Sequence, residues 1–251
     1  IAIHYAREME NLLPKVTIKE YPDVVDCKYH LGETYMKYHD YLRAEKYYKE
    51  VVASPVFAKN QRIFILARND LGLLERNYYH NLKNSDMWFK SILSFDKRYS
   101  INEIRMHRIA TTLGELGRND FLRGRYASSE RLLLQSLGIM GKEKNEDNDD
   151  DHTTYYRMAC TLAECYCEMK EYGKALVYIN KADSCNKFVT PPTSQQNIFI
   201  AKSKYYMGIN KTSMAYAYLD SAFKARDEWD LHHNMNLFFE IENQVGQYEL
   251  Q

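Results

Sequence analysis

Glycine and proline are scarce, 10 and 5 in 251 residues. Both interrupt regular structure, glycine through its unrestrained backbone and proline through its missing N–H, so their scarcity suits helix over sheet. No apolar run approaches the roughly 20 residues that a membrane-spanning helix needs. There is no excess charge of either sign: 34 Lys plus Arg stand against 34 Asp plus Glu. That balance argues against a polyanion binder, because phosphate contacts need concentrated basic charge, and no nucleic-acid partner is expected for this segment. A Gly-rich phosphate loop, a G-x-S-x-G elbow and a dinucleotide fingerprint are all missing, so nothing argues for an enzyme.

Cysteine is present, but in no pattern that carries chemistry. The five residues include no C-x2-C pair for zinc, and an odd number excludes complete internal pairing. Cys160, Cys165 and Cys167 fall on one expected helix and read as small buried residues. Asp147, Asp149 and Asp151 alternate as calcium ligands do. An EF-hand loop starting at Asp147 would need Gly and Glu where His152 and Met158 stand, so calcium is not supported. His232 and His233 are adjacent rather than four apart, and no zinc pair forms. No metal and no cofactor is expected.

What the chain has is tyrosine, 22 in all, and a repeat. Leu162–Ala182 reads as two short helices around a turn. Leu162, Ala163 and Tyr166 share one face of the first; Ala175, Ile179 and Ala182 stripe the second; Lys170, Glu171, Tyr172 and Gly173 mark the turn between them. Such a hairpin is apolar on more than one side and must stack on copies of itself. The copies run Leu31-Gly32-x2-Tyr35 with Ala44-x3-Tyr48-x2-Val51, then Leu71-Gly72 with Ser85-x3-Phe89-x2-Ile92 and one extra turn residue. Leu116-Gly117 with Ser129-x3-Leu133-x2-Ser136 follows, and Phe199, Ser203 and Tyr206 with Ala215-x3-Leu219-x2-Ala222 is the most worn.

This series resembles the tetratricopeptide repeat (TPR), whose pattern is W-x2-L-G-x2-Y, then A-x3-F, then P. The resemblance covers nearly the whole chain. No copy has the Trp, and only Pro55 stands close to the terminal proline position. The leucine anchors at 31, 71, 116 and 162 step by 40, 45 and 46 residues, against a family unit of about 34, so helices or connecting loops must be longer. The expected fold is all-α, a right-handed superhelical solenoid of about five hairpins with a capping helix.

The chain divides into a half-repeat over 1–13, whose first helix is missing, and repeats over about 23–54, 59–95, 101–140, 153–186 and 194–226. A terminal helix at 231–249 has an apolar side from Leu231, Met235, Phe238, Phe239 and Val245 and is expected to cap the array. Residues 141–151 carry no apolar side chain and read as a mobile loop. Thr190-Pro191-Pro192-Thr193 breaks the chain before the fifth repeat. A start at Ile1 without Met, in mid-repeat, reads as an excised fragment.

By the resemblance, first helices line a concave groove that takes a protein or peptide. Its positions would be Asp26, Tyr29, Glu33 and Met36; Leu66, Asn69, Leu73 and Arg76; Arg118 and Phe121; Arg157 and Glu164; and Ile200, Lys204 and Met207. A family subtype grips a C-terminal carboxylate with Lys and Asn in its first repeat, and Tyr29 and Glu33 here do not make that clamp. The array is similar to the sensor or scaffold regions of bacterial regulators. That resemblance implies a non-catalytic interaction module in signal transduction and leans to the periplasmic side of an inner membrane, with the cytoplasm as the alternative. The rival expectations are a structural spacer in an assembly, or a metal-binding or enzymatic helical domain.

Overall fold

The structure, a computed structural model, describes residues 2–17, 19–21, 23–55, 61–96, 103–141, 149–185 and 193–228. Every regular element among the described residues is helical. Two compact units divide the chain, one of residues up to Phe95 and one of Asp96–His233. In the first, α1 (Ala2–Leu12) ends in a 3-10 turn at Leu13–Lys15, where Pro14 stops it. It is followed by α2 (Val24–Lys37), α3 (Tyr41–Ala53), α4 (Gln61–Asn77) and α5 (Leu82–Asp96). In the second are α6 (Glu103–Leu122), α7 (Tyr126–Met140), α8 (Asp149–Glu168), α9 (Tyr172–Cys185), α10 (Thr193–Gly208) and α11 (residues 212–228).

Each hairpin closes on a small residue. A Cβ added to Gly32 would stand 2.5 Å from Cε1 of Tyr48, and one on Gly72 would stand 2.7 Å from Cε1 of Phe89. Real Cβ atoms do not approach so closely, so the LG pair is a requirement of the α2–α3 and α4–α5 crossings. The partner position is also small. Ala44, Ser85, Ser129, Ala175 and Ala215 are all fully buried. Seven residues after Ser129, the buried Ser136 hydroxyl donates to the Ala110 carbonyl at 2.6 Å and joins α7 to α6. The second helix of one hairpin also packs on the first helix of the next, α3 on α4, α7 on α8 and α9 on α10. First helices meet as α2 with α4, α6 with α8, and α8 with α10.

One turn recurs. The residue before the second helix's cap adopts positive φ at His39, His80, Gly124, Lys170 and Asn210. The next N–H then reaches back to the preceding helix, Asp40 to Tyr35 at 2.9 Å, Arg125 to Asp120 at 2.9 Å, Glu171 to Tyr166 at 2.8 Å and Lys211 to Tyr206 at 2.8 Å. This is the Schellman bond, which satisfies a carbonyl left open at the helix end. The α4–α5 turn holds one more residue, and its bond runs from Asn81 to Glu75 instead.

The helix α1 packs Ala6 into the core of the first hairpin and is tied to it by the Glu10 carboxylate. Glu10 accepts hydrogen bonds from the hydroxyls of Tyr35 at 2.7 Å and Tyr47 at 2.6 Å, and those two rings stack 5.9 Å apart. Burial works to raise the Glu10 carboxyl; the two hydroxyls with Arg43 and Lys46 outweigh it and hold it below the ordinary carboxylate range.

Asp149, Asp150 and Asp151 open α8 rather than extend a loop, which corrects the expectation for 141–151 at its end. Residues 142–148, the Pro191-Pro192 break and the terminal helix expected at 231–249 lie outside the described residues.

Candidate binding faces on the first helices

In the first unit the face of α2 and α4 is organised around Asp70. The Tyr29 hydroxyl donates to its carboxylate at 3.0 Å and the Asn69 amide at 3.3 Å. Tyr29 is 5% exposed, so it serves this joint with its ring in the core. Glu33 is exposed and pairs with His30 at 2.8 Å. Leu73 is half-buried. Arg76 is 4% exposed and lies with its guanidinium 5.9 Å from the Phe89 ring centre, donating to the Asn77 side chain at 3.2 Å. Arg76 is thus folded into its own hairpin. Burial is the main force on Asp70 and pushes its carboxyl up to about 6 against the lowering effect of Tyr29 and Asn69.

In the second unit an ion network crosses three first helices. Glu115 on α6 is 1% exposed. Arg157 of α8 meets it at 2.8 Å and Arg118 of its own helix at 3.4 Å. Lys204 on α10 meets two carboxylates of α8, Glu164 at 3.0 Å and Glu168 at 2.9 Å. The same ammonium stands 5.1 Å from the ring centre of Phe121, a cation–π distance. Glu115 pulls the Arg157 guanidinium up, but burial and the nearby Arg118 outweigh it and leave it lowered. Burial pushes the Glu164 carboxyl up despite Lys204. For Lys204 burial works downward, and its two carboxylates outweigh it and leave it raised.

Arg118, Phe121, Arg157 and Lys204 are therefore brought together on one surface of the second unit, and Tyr29, Glu33, Asn69 and Leu73 stand on α2 and α4 of the first. Sequence reasoning missed Glu115 and Asp70. Each sits two residues before the glycine of its repeat, Gly72 and Gly117, and only packing marks it out. No group of three or more His, Cys, Asp or Glu residues gathers as a metal site among the described residues. Among them, too, no helix is long and apolar enough to cross a membrane.

Solved structures share this architecture, two of them as follows. BtubC (BKLC) from P. vanneervenii matches with a TM-score of 0.63 at 14% identity, over 91% of this chain and 89% of that one. A putative kinesin light chain from Podosopora anserina, with nearly identical TPR-like repeats, matches at 0.55 and 13% identity, over 83% of this chain and 98% of that one. Likeness at such low identity establishes the fold, an all-α TPR-like solenoid. No protein-family model matches the chain, and no curated protein matches it.

Proposed function

We infer that this chain is a non-catalytic protein- or peptide-binding module, the sensor or scaffold part of a larger regulatory protein. The observation that carries this reading is the surface shared by α6, α8 and α10. It places an aromatic ring, Phe121, among Arg118, Arg157 and Lys204, whose positions are fixed by Glu115, Glu164 and Glu168. Aromatic and Arg side chains held rigid in this way are the residues in which binding energy concentrates. In the first unit Leu73, one turn along α4 from Asn69, is the apolar candidate.

The test is selection of a random peptide library on the immobilised protein, repeated with Phe121→Asp and Leu73→Asp after circular dichroism shows both folded. Recovery of the selected peptides should fall by about tenfold or more with at least one variant, as expected for loss of an anchor. Phe121→Asp reports on the second unit and Leu73→Asp on the first. Undiminished recovery with both would move the binding surface to the second helices.

A further inference from the structure

The α4–α5 turn opens on two exposed tyrosines. Tyr78 and Tyr79 follow α4 in succession, their N–H groups both directed to the Leu74 carbonyl at 3.0 and 3.3 Å, and their side chains stand 45% and 36% exposed. The two rings meet edge to face, 4.9 Å apart at 70°. The turn of the preceding hairpin carries a matching pair: His39 and Tyr41 lie 5.5 Å apart at 84° and share a hydrogen bond. The Tyr41 and Tyr78 rings stand 4.2 Å apart and join the two pairs. Four rings from two hairpins thus form one strip on the turns of the first unit. The charges beside it are taken. Asp40 pairs with Arg43 at 3.5 Å, and Glu45 accepts from Lys49 and, at 2.6 Å, from the Tyr79 hydroxyl. The Tyr78 hydroxyl has no hydrogen-bond partner among the described residues.

We propose that this strip is a docking site for an uncharged, proline-rich segment of a partner protein in the polyproline II conformation. The site goes beyond the first-helix surfaces and does not depend on them. Polyproline II repeats every three residues, about 9 Å, and has no internal hydrogen bonds. It docks on aromatic-lined grooves, where its pyrrolidine rings fill the gaps between side chains. Rings set edge to face leave such gaps. The two pairs here are joined by one 4.2 Å contact, so prolines one turn apart can seat in both. The open Tyr78 hydroxyl can donate to a carbonyl of the segment, none of which is bonded internally. With the neighbouring charges paired, a charged segment finds no counter-ion, and an uncharged one fits. A sugar is the other ligand that stacks on tyrosine, but it needs an open ring face bordered by free amides and carboxylates. Here the rings stand against one another, and Asp40, Glu45 and Asn81 already accept from Arg43, Tyr79 and Asn84.

The experiment measures binding of a fluorescent proline decamer to the full chain by anisotropy, beside a Gly-Ser decamer with the same label and with cellohexaose as competitor. The proline decamer should bind, the Gly-Ser decamer should not, and the sugar should leave the bound decamer in place. Tyr78→Ala should weaken binding about tenfold, the scale of a lost aromatic anchor. Tyr78→Phe should weaken it about threefold, the scale of one hydrogen bond. Tyr216→Ala removes an exposed tyrosine of α11 outside the strip and should leave the affinity unchanged. Equal binding of the two peptides, no binding of either, displacement by the sugar, or undiminished affinity in Tyr78→Ala would overturn the proposal. Carbon-13 labelling of tyrosine rings in the wild-type protein gives a second measurement that needs no variant to fold. The Tyr41, Tyr78 and Tyr79 signals should shift as proline decamer is added, and shifts confined to other tyrosines would sink the proposal.

Discussion

Five residues hold the same strained conformation for the same reason, and only one of them is glycine. His39, His80, Lys170 and Asn210 have φ of 59°, 53°, 61° and 60°, beside 73° at Gly124. The left-handed region costs a residue with a Cβ roughly 1 kcal/mol or more, yet each turn accepts it because the following N–H then closes the open helix end. Gly124 is surrounded by empty space, with nothing within 4 Å of an added Cβ. Gly124→Ala should therefore lose stability through the backbone alone, about 1 kcal/mol. Lys170→Gly should gain up to about the same amount, less the greater freedom glycine has in the unfolded chain. Urea denaturation of both variants measures the pair, and equal signs would show that the turns do not store this strain. The sequence marked Lys170 and Glu171 as a turn by polarity. The backbone geometry of the five turns was not legible there, because histidine and asparagine only lean toward it and lysine does not.

At the scale of the element, the fold was written where the chain cannot tolerate volume. The LG pair of α2 and the Ala-x3-Tyr of α3 are one crossing seen from its two sides, with Gly32 against the Tyr48 ring. Gly138, exposed on α7, has nothing within 4 Å of an added Cβ. Gly32→Ala should cost about 1–3 kcal/mol by overpacking, while Gly138→Ala should stabilise by roughly 0.5–1 kcal/mol through helix propensity. Thermal unfolding of the two variants separates crossing glycines from incidental ones, and a loss in both would remove the crossing argument. The candidate surface was less legible than the crossings. Repeat register placed Arg118, Glu164 and Lys204 at the position after the small residue in successive hairpins, and the structure joins Glu164 to Lys204 there. Register could not show that Arg76, three residues beyond Leu73, folds back over Phe89, because helix periodicity fixes a face and leaves the reach of a long side chain open. Nor could it show that Glu115 anchors both arginines, since partner choice depends on distances between helices.

For the whole molecule, the sequence signalled longer units than the family average, and part of the surplus lies in the first helices: α2 has 14 residues, whereas α6 and α8 have 20 each. Cores form within each unit. One gathers Val25, Tyr35, Tyr48, Phe64 and Leu71 from α2, α3 and α4. Others gather Leu133, Met158 and Leu162, and Tyr156, Ile179 and Ile198, from α7 to α10. In a solenoid, stability sums over hairpins and their immediate neighbours, so damage stays local unless cooperativity carries it further. Gly32→Ala strains the first unit, and Ala175→Phe overpacks a site in α9 that is fully buried. Each should cost on the order of 1–3 kcal/mol where it acts. Hydrogen exchange under mildly destabilising conditions should then show Gly32→Ala lowering protection across α2–α5 and sparing α8–α10, with Ala175→Phe doing the reverse. If either variant lowers protection equally in all of these helices, the chain unfolds as one cooperative body.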